Sequence, residues 1–239
     1  MCLRRMKQWV ARAPLVGPVA ARLRWLFAGP FPGGRAYWEA RYRRGGTSGA
    51  GSQGRLARFK AEVVNRFVAE RGVRSVVEFG CGDGDQVALA RYPRYVGRAV
   101  SPRAVELCRR RFGGDPTKTF HVYDPGAFER DLADLRADLA LSLDVVYHVV
   151  EAEDYRLYME HLFRAADRYV VVYSSDLDAD PPAPLIRHRR FTAWVAEHRP
   201  DWSLTGTSDP PKGDEGTVSP CSFCFYEKTE GQARRGEPL

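Results

Sequence analysis

Apolar and polar positions along this chain switch repeatedly between two periods. Short runs rich in β-branched and aromatic residues read as strands at Gly72 to Val77, Arg94 to Val100, Lys118 to Tyr123, Asp138 to Leu143, Arg168 to Tyr173 and Ser222 to Lys228. Between them apolar residues recur at helical spacing. Pro102 to Phe112 carries its proline at an early helical position, Ala127 to Leu135 follows, and Glu151 to Ala165 places Tyr155, Tyr158, Met159 and Leu162 on one face. Further helical stretches run through Val63, Val64 and Phe67, through Asp85 to Leu89, and through Phe191, Trp194 and Val195. Strands and helices taken in turn predict parallel strands joined by crossovers, and so an α/β sheet covered by helices on both faces. Ligands of such sheets sit beyond the carboxyl ends of the strands, where the strand order reverses.

One strand end is built to receive a ligand. Val76-Val77-Glu78-Phe79 runs into Gly80-Cys81-Gly82-Asp83-Gly84, three glycines at alternate positions. Such a turn bends sharply and exposes main-chain N–H groups where a Cβ would collide. The spacing differs from the Gly-x-Gly-x-x-Gly of dinucleotide sites, whose third glycine lets a helix pack beneath a pyrophosphate. Glu78 before the turn and Asp83 inside it would repel a pyrophosphate and suit a ligand that carries positive charge.

With this turn and this order of elements, the chain resembles the class I S-adenosylmethionine-dependent methyltransferases. From about Tyr37 to Lys228 it is similar to a bacterial group with the same Tyr-Trp-Glu segment, Gly/Ser run, Ser-Leu-Asp element and His-Arg-rich segment. The resemblance implies a Rossmann-like, mostly parallel seven-stranded sheet, S-adenosylmethionine as cofactor and S-adenosylhomocysteine as product. It also implies that Tyr37-Trp38-Glu39-Ala40-Arg41-Tyr42 folds over the cofactor as a lid; Tyr37 and Arg41 become cofactor contacts, Arg41 by gripping the methionyl carboxylate. A plain linker is the competing reading of that segment. The glycine turn contributes Glu78, Gly80, Cys81, Gly82 and Gly84, with Gln86 following in the next turn. Val100 and Leu143 line the adjoining strand ends, and Asp144 meets the reactive end, as a cofactor contact and as a candidate catalytic residue. Asp124 reads equally as a contact to the adenine amino group and as a turn residue before Pro125-Gly126.

The second strand departs from the family. Members end it with an acid that receives both ribose hydroxyls, and this chain has Ala99 there. Hydrogen bonds to a charged acceptor contribute about 1.5–3 kcal/mol each, so the loss weakens binding roughly tenfold to several hundredfold. Three explanations stay open at this point: the other contacts suffice, the site is altered, or Arg98 marks a phosphate-bearing ligand.

Methyl transfer is an in-line displacement that needs alignment, and a base when the nucleophile starts as a hydroxyl or ammonium. His148, on the exit of the fourth strand beside Asp144, is the candidate base, because imidazole titrates nearest neutrality. His188 is the reserve, within Arg187-His188-Arg189-Arg190, whose arginines either grip a phosphate or carboxylate of the acceptor or begin a solvated helix. The group's association with glycan and secondary-metabolite assembly points to a small hydroxylated or amino acceptor, phosphate-bearing or lipid-linked.

Composition narrows the setting. The 239 residues, 44% hydrophobic, suffice for one core. The expected division is an N-terminal extension over residues 1–34, one catalytic domain over 35–230 and a disordered tail over 231–239. No apolar run reaches the roughly 18 to 20 residues that span a bilayer. Five cysteines without a disulfide framework suggest a reducing cytoplasm, and Cys221-x-x-Cys224 lacks a second pair at zinc spacing. The net charge is +7 and the pI near 9.3. Part of that charge lies in residues 1–30, where arginines alternate with Trp9, Trp25 and aliphatic residues. This stretch reads as a membrane-surface element at the inner face of the membrane, or as an extension packed on its own domain. Nucleic-acid contact ranks below both, since no recognisable RNA-binding module accompanies the charge.

Overall fold

The computed structural model describes residues 30–179, 183–210 and 219–229. Most of the N-terminal extension and the whole 231–239 tail therefore lie outside the described residues. Seven strands form one sheet in the order β3-β2-β1-β4-β5-β7-β6. They are β1 (Val76–Phe79), β2 (Tyr95–Ala99), β3 (Lys118–Val122), β4 (Ala137–Leu143), β5 (Ala166–Ser175), β6 (Trp202–Ser208) and β7 (Cys221–Lys228). The first five are mutually parallel, whereas β7 inserts antiparallel between β5 and β6.

Among the described residues the α-helices are α1 (Gly34–Arg43), α2 (Gly54–Glu70), α3 (Pro102–Phe112), α4 (Phe128–Leu135), α5 (Ala152–Arg164) and α6 (Phe191–His198). Side chains alternate across each strand, so neighbours such as Val76 and Val77, or Leu139 and Ala140, enter opposite cores. One core gathers Tyr42, Val64 and Val105 from α1, α2 and α3; the other gathers Phe128, Leu162 and Phe191 from α4, α5 and α6. All four residues of β1 are buried, as a central parallel strand requires. Ser101 caps α3 by accepting from the Ala104 N–H, and Pro102 occupies the first turn.

Three local expectations change. Asp85 to Leu89 does not form an α-helix but a single 3₁₀ turn, Val87–Leu89. The segment is too short to repay helix nucleation, and α2 already covers that part of the sheet: Gln86 Nε2 donates to the Ala57 carbonyl at 3.0 Å. The first strand starts at Val76 rather than Gly72, because Gly72 turns at φ +59° and Val73 N–H closes the end of α2 on Val68. Finally, β6 carries no alternating apolar pattern. Only Trp202 of its seven residues is buried, so it holds its place through backbone pairing with β7.

The sheet runs outward from β1 in one direction and from β4 in the other. The gap between these two strand ends is the reversal point, and the glycine turn opens into it.

Candidate active site

A cavity of about 210 Å³ crosses the carboxyl ends of the strands. Its floor is Gly80 and Gly82 after β1, Ala99 to Ser101 after β2, Tyr123 and Pro125 after β3, and Leu143 to Val145 after β4. Gly80 has φ +97°, and a Cβ there would lie 2.3 Å from Val145 Cγ2, so only glycine lets the first and fourth strand exits touch. The turn is fixed from behind, where the N–H groups of Gly80 and Cys81 both donate to the Arg98 carbonyl, at 2.6 and 3.0 Å.

The roof is α1 and the Gly/Ser run behind it. Helical spacing brings Gly34, Arg35, Trp38 and Tyr42 to the cavity, while Tyr37 and Arg41 are not among its lining residues. Arg41 instead donates to the Thr47 carbonyl at 2.5 Å and lies over the Trp38 ring. Three contacts hold the roof down. Arg35 donates to the Tyr123 carbonyl at 3.0 Å, Glu39 accepts from the Ser101 hydroxyl at 2.6 Å, and Ser48 donates through its N–H and Oγ to Asp83 at 2.9 and 2.7 Å. Asp83, within the glycine turn, is thus engaged by the lid loop. Gly82 permits this approach, since a Cβ there would fall 2.2 Å from Ser48 Oγ.

At the far end Asp144, the single non-glycine residue with positive φ (60°) among those described, lines the cavity. Its carboxylate accepts from Tyr147 Oη at 3.1 Å and from Lys60 Nζ at 2.5 Å. His148 follows one 3₁₀ turn later, also on the wall, edge-on to Trp38 with ring centroids 5.1 Å apart. Its Nδ1 stands 2.8 Å from the Leu185 carbonyl. A carbonyl can only accept, so Nδ1 carries the proton and Nε2 keeps its lone pair. Burial lowers the His148 pKa below the ordinary value of 6.5, more than Leu185 and Asp144 raise it.

The other sequence-predicted residues lie around the cavity rather than on its wall. Glu78 is buried beneath the turn, accepts from Tyr95 Oη at 2.6 Å, and has its pKa raised by burial. Cys81 points into the core, where Cys108 and burial push its thiol pKa well up. Gly84 packs under Phe112 and Cys108. Gln86 is buried against α2, and Asp124 accepts from the Gly126 N–H at 3.0 Å as an ordinary turn cap. His188 bonds through Nδ1 to Ser175 Oγ at 2.8 Å beyond the end of β5. Arg189 donates to the carbonyls of Val149 and Val150, bracing the β4 exit, and Arg98 donates to Val122 and pairs with Asp131. Cys221 and Cys224 enter opposite cores, burial pushing each thiol up to about 12.

The sequence reading missed the Ser48, Ser52 and Ser101 hydroxyls, Tyr158 below the floor, and Lys60. Ser48 and Ser52 sit in a Gly/Ser run whose composition signals only flexibility. Lys60 follows Phe59 on a helix whose period predicts a buried position, an anomaly for an ammonium that could have marked it.

The sequence pattern of the methyltransferase-domain family matches residues 52–204, well over half of the chain. The chain belongs to that family. No curated protein sequence matches this methyltransferase. Among solved structures it is similar to magnesium protoporphyrin IX methyltransferase from Synechocystis PCC 6803, crystallised with S-adenosylhomocysteine, at 17% identity and TM-score 0.58 over 82% of this chain and 98% of that one. The methyltransferase domain of bacterial CtHen1 is similar at 14% identity and TM-score 0.59, over 72% and 98%. The N-methyltransferase NodS from Bradyrhizobium japonicum WM9 is similar at 16% and 0.56, over 72% and 96%. These likenesses establish the class I methyltransferase fold. Among the described residues no helix is long and apolar enough to cross a membrane.

Proposed function

We propose that this methyltransferase binds S-adenosylmethionine in the roofed cavity and methylates a hydroxyl or amino group of a small acceptor, with His148 as general base. The cavity chemistry fits the cofactor along its length. Backbone of the glycine turn and the hydroxyls of Tyr42, Ser48 and Ser52 suit a zwitterionic tail, while Val100, Tyr123, Pro125 and Val145 offer flat apolar walls for a base. When bound, the cofactor supplies an electrophilic methyl group. The protein orients the acceptor, excludes water with Trp38, and takes the acceptor proton on His148 Nε2.

The observation that carries this reading is the lone pair left on His148 by Leu185, on the wall beside Asp144. Because burial lowers its pKa, His148 is neutral at pH 7, and turnover should fall only as pH drops below 6.5.

Calorimetry with S-adenosylmethionine and S-adenosylhomocysteine tests the first half, with NADP and single-stranded RNA as comparisons. Saturable binding of S-adenosylhomocysteine supports the reading; binding of RNA alone would make this a non-catalytic member of the fold. For the second half, His148→Ala should retain cofactor binding and lose roughly 10²–10⁴-fold in methyl transfer to an acceptor found by screening hydroxylated and amino compounds. Undiminished transfer would remove His148 from the mechanism.

A further inference from the structure

Lys60 is 1% exposed, on the inner face of α2 among Ala57, Ala61 and Val64. A lysine is almost never fully buried without a partner, and here the direct partner is Asp144 at the mouth of the active site. The ammonium also lies 5.5 Å over the Tyr173 ring and close enough to Glu78 to lower that acid's pKa, although burial of Glu78 outweighs the effect. It thus stands between the acid beneath the glycine turn and the acid at the β4 exit.

The conformation of Asp144 makes this contact more than packing. A non-glycine residue at φ +60° persists only where its surroundings hold it, and such residues gather at functional sites. Several contacts hold it. Its N–H donates to the Tyr173 carbonyl at 2.9 Å, and one carboxylate oxygen receives Lys60. The other oxygen receives Tyr147 Oη. Gly51 of the lid loop closes over the same carboxylate, since a Cβ there would come within 2.8 Å of Oδ2. Tyr147 and His148 are adjacent in one 3₁₀ turn with ring centroids 4.4 Å apart. A continuous path therefore leads from Lys60 through Asp144 and Tyr147 to His148.

We propose that Lys60 is a positioning residue of the reaction centre: by holding the Asp144 carboxylate it fixes the left-handed exit of β4, and through Tyr147 the orientation of His148. Asp144 is then a structural acceptor at the end of the cavity rather than a catalytic group in its own right. The inference rests on the assignment of His148 as base. It differs from an ordinary buried ion pair in predicting an effect on the imidazole, separate from any effect on stability.

The test is ¹⁵N NMR of the histidine side chains, with His148 assigned by its substitution, in wild type, Lys60→Met and Lys60→Arg. In wild type His148 should be one neutral tautomer protonated on Nδ1, titrating below the ordinary value. The charged and titratable groups around it are Asp144, Arg41, His188 and the Tyr147 phenol, which burial keeps protonated. Removing the ammonium leaves the Asp144 charge uncompensated and frees the turn from its buried setting, and both effects raise the His148 pKa. In Lys60→Met we expect about a tenfold rise in its protonated-to-neutral ratio at a given pH and a mixture of tautomers, with Lys60→Arg restoring the wild-type spectrum. Wild-type tautomer and titration in Lys60→Met would overturn the proposal. Should Lys60→Met fail to fold, Tyr147→Phe severs the same path nearer the surface, and an unchanged His148 there is equally fatal. Calorimetry with S-adenosylhomocysteine on wild type separates the two readings: absence of binding removes the cofactor assignment, whereas binding with an indifferent His148 removes only the role of Lys60.

Discussion

At position 99 a single residue is expected to set how tightly the proposed cofactor is held. Ala99 lies on the cavity floor at the end of β2, where a carboxylate would face the ligand, and the neighbouring polar group is the Ser101 hydroxyl, already donating to Glu39. Ala99→Asp should tighten S-adenosylhomocysteine binding at least tenfold by calorimetry, each hydrogen bond to a charged acceptor contributing about 1.5–3 kcal/mol. Equal affinity in the two proteins would mean that the ribose lies elsewhere. His148 shows why residue type alone is a weak guide. Its position beside Asp144 follows from the sequence, but its free lone pair depends on a carbonyl 37 residues away.

At the scale of elements, α1 is a roof latched by Glu39. Its carboxylate accepts from Ser101 Oγ, the Arg103 N–H and Arg43, and although burial opposes it, these bonds lower its pKa to about 2. A depressed acid stabilises above its unfolded value, 4.5 here, so the latch is complete at neutral pH and is lost as pH falls toward 2. Glu39→Gln should speed tryptic cleavage after Arg41 and Arg43 at pH 8, and an unchanged rate would mean that aromatic packing alone holds α1. The lid was legible as a segment because Tyr37, Trp38 and Tyr42 are too aromatic for a linker. Which face looks inward was not, since α1 carries apolar and basic residues all round and its rotation is set by Arg35 on Tyr123 and Glu39 on α3. The order of β1 to β5 and of α3 to α5 was likewise legible from period alone. The helix expected after the glycine turn was not formed, because five residues cannot nucleate one when α2 already caps the strand.

For the molecule as a whole, two cores on either side of one sheet must remain dry, and a buried imidazole makes one of them sensitive to pH. His161 is 4% exposed, stacked on Phe128 at 3.7 Å and bonded to Tyr123 Oη, and burial lowers its pKa to about 4. It stays neutral when folded but titrates near 6.5 when unfolded, so the stability it carries is present above 6.5 and is lost as pH falls to about 4. The thermal midpoint should drop over that range, and His161→Gln should remove part of the slope; an identical slope would place the sensitivity elsewhere. The sequence by itself determined the alternation of strands and helices, the glycine turn and the segments that approach it, because period and backbone freedom are local properties of the chain. The tertiary structure alone decided that β6 closes the sheet edge, that Trp38 and Tyr42 face the cavity, and that Lys60 meets Asp144 across 84 positions. Those choices depend on which surfaces and charges come together when distant elements pack, and no local pattern encodes them.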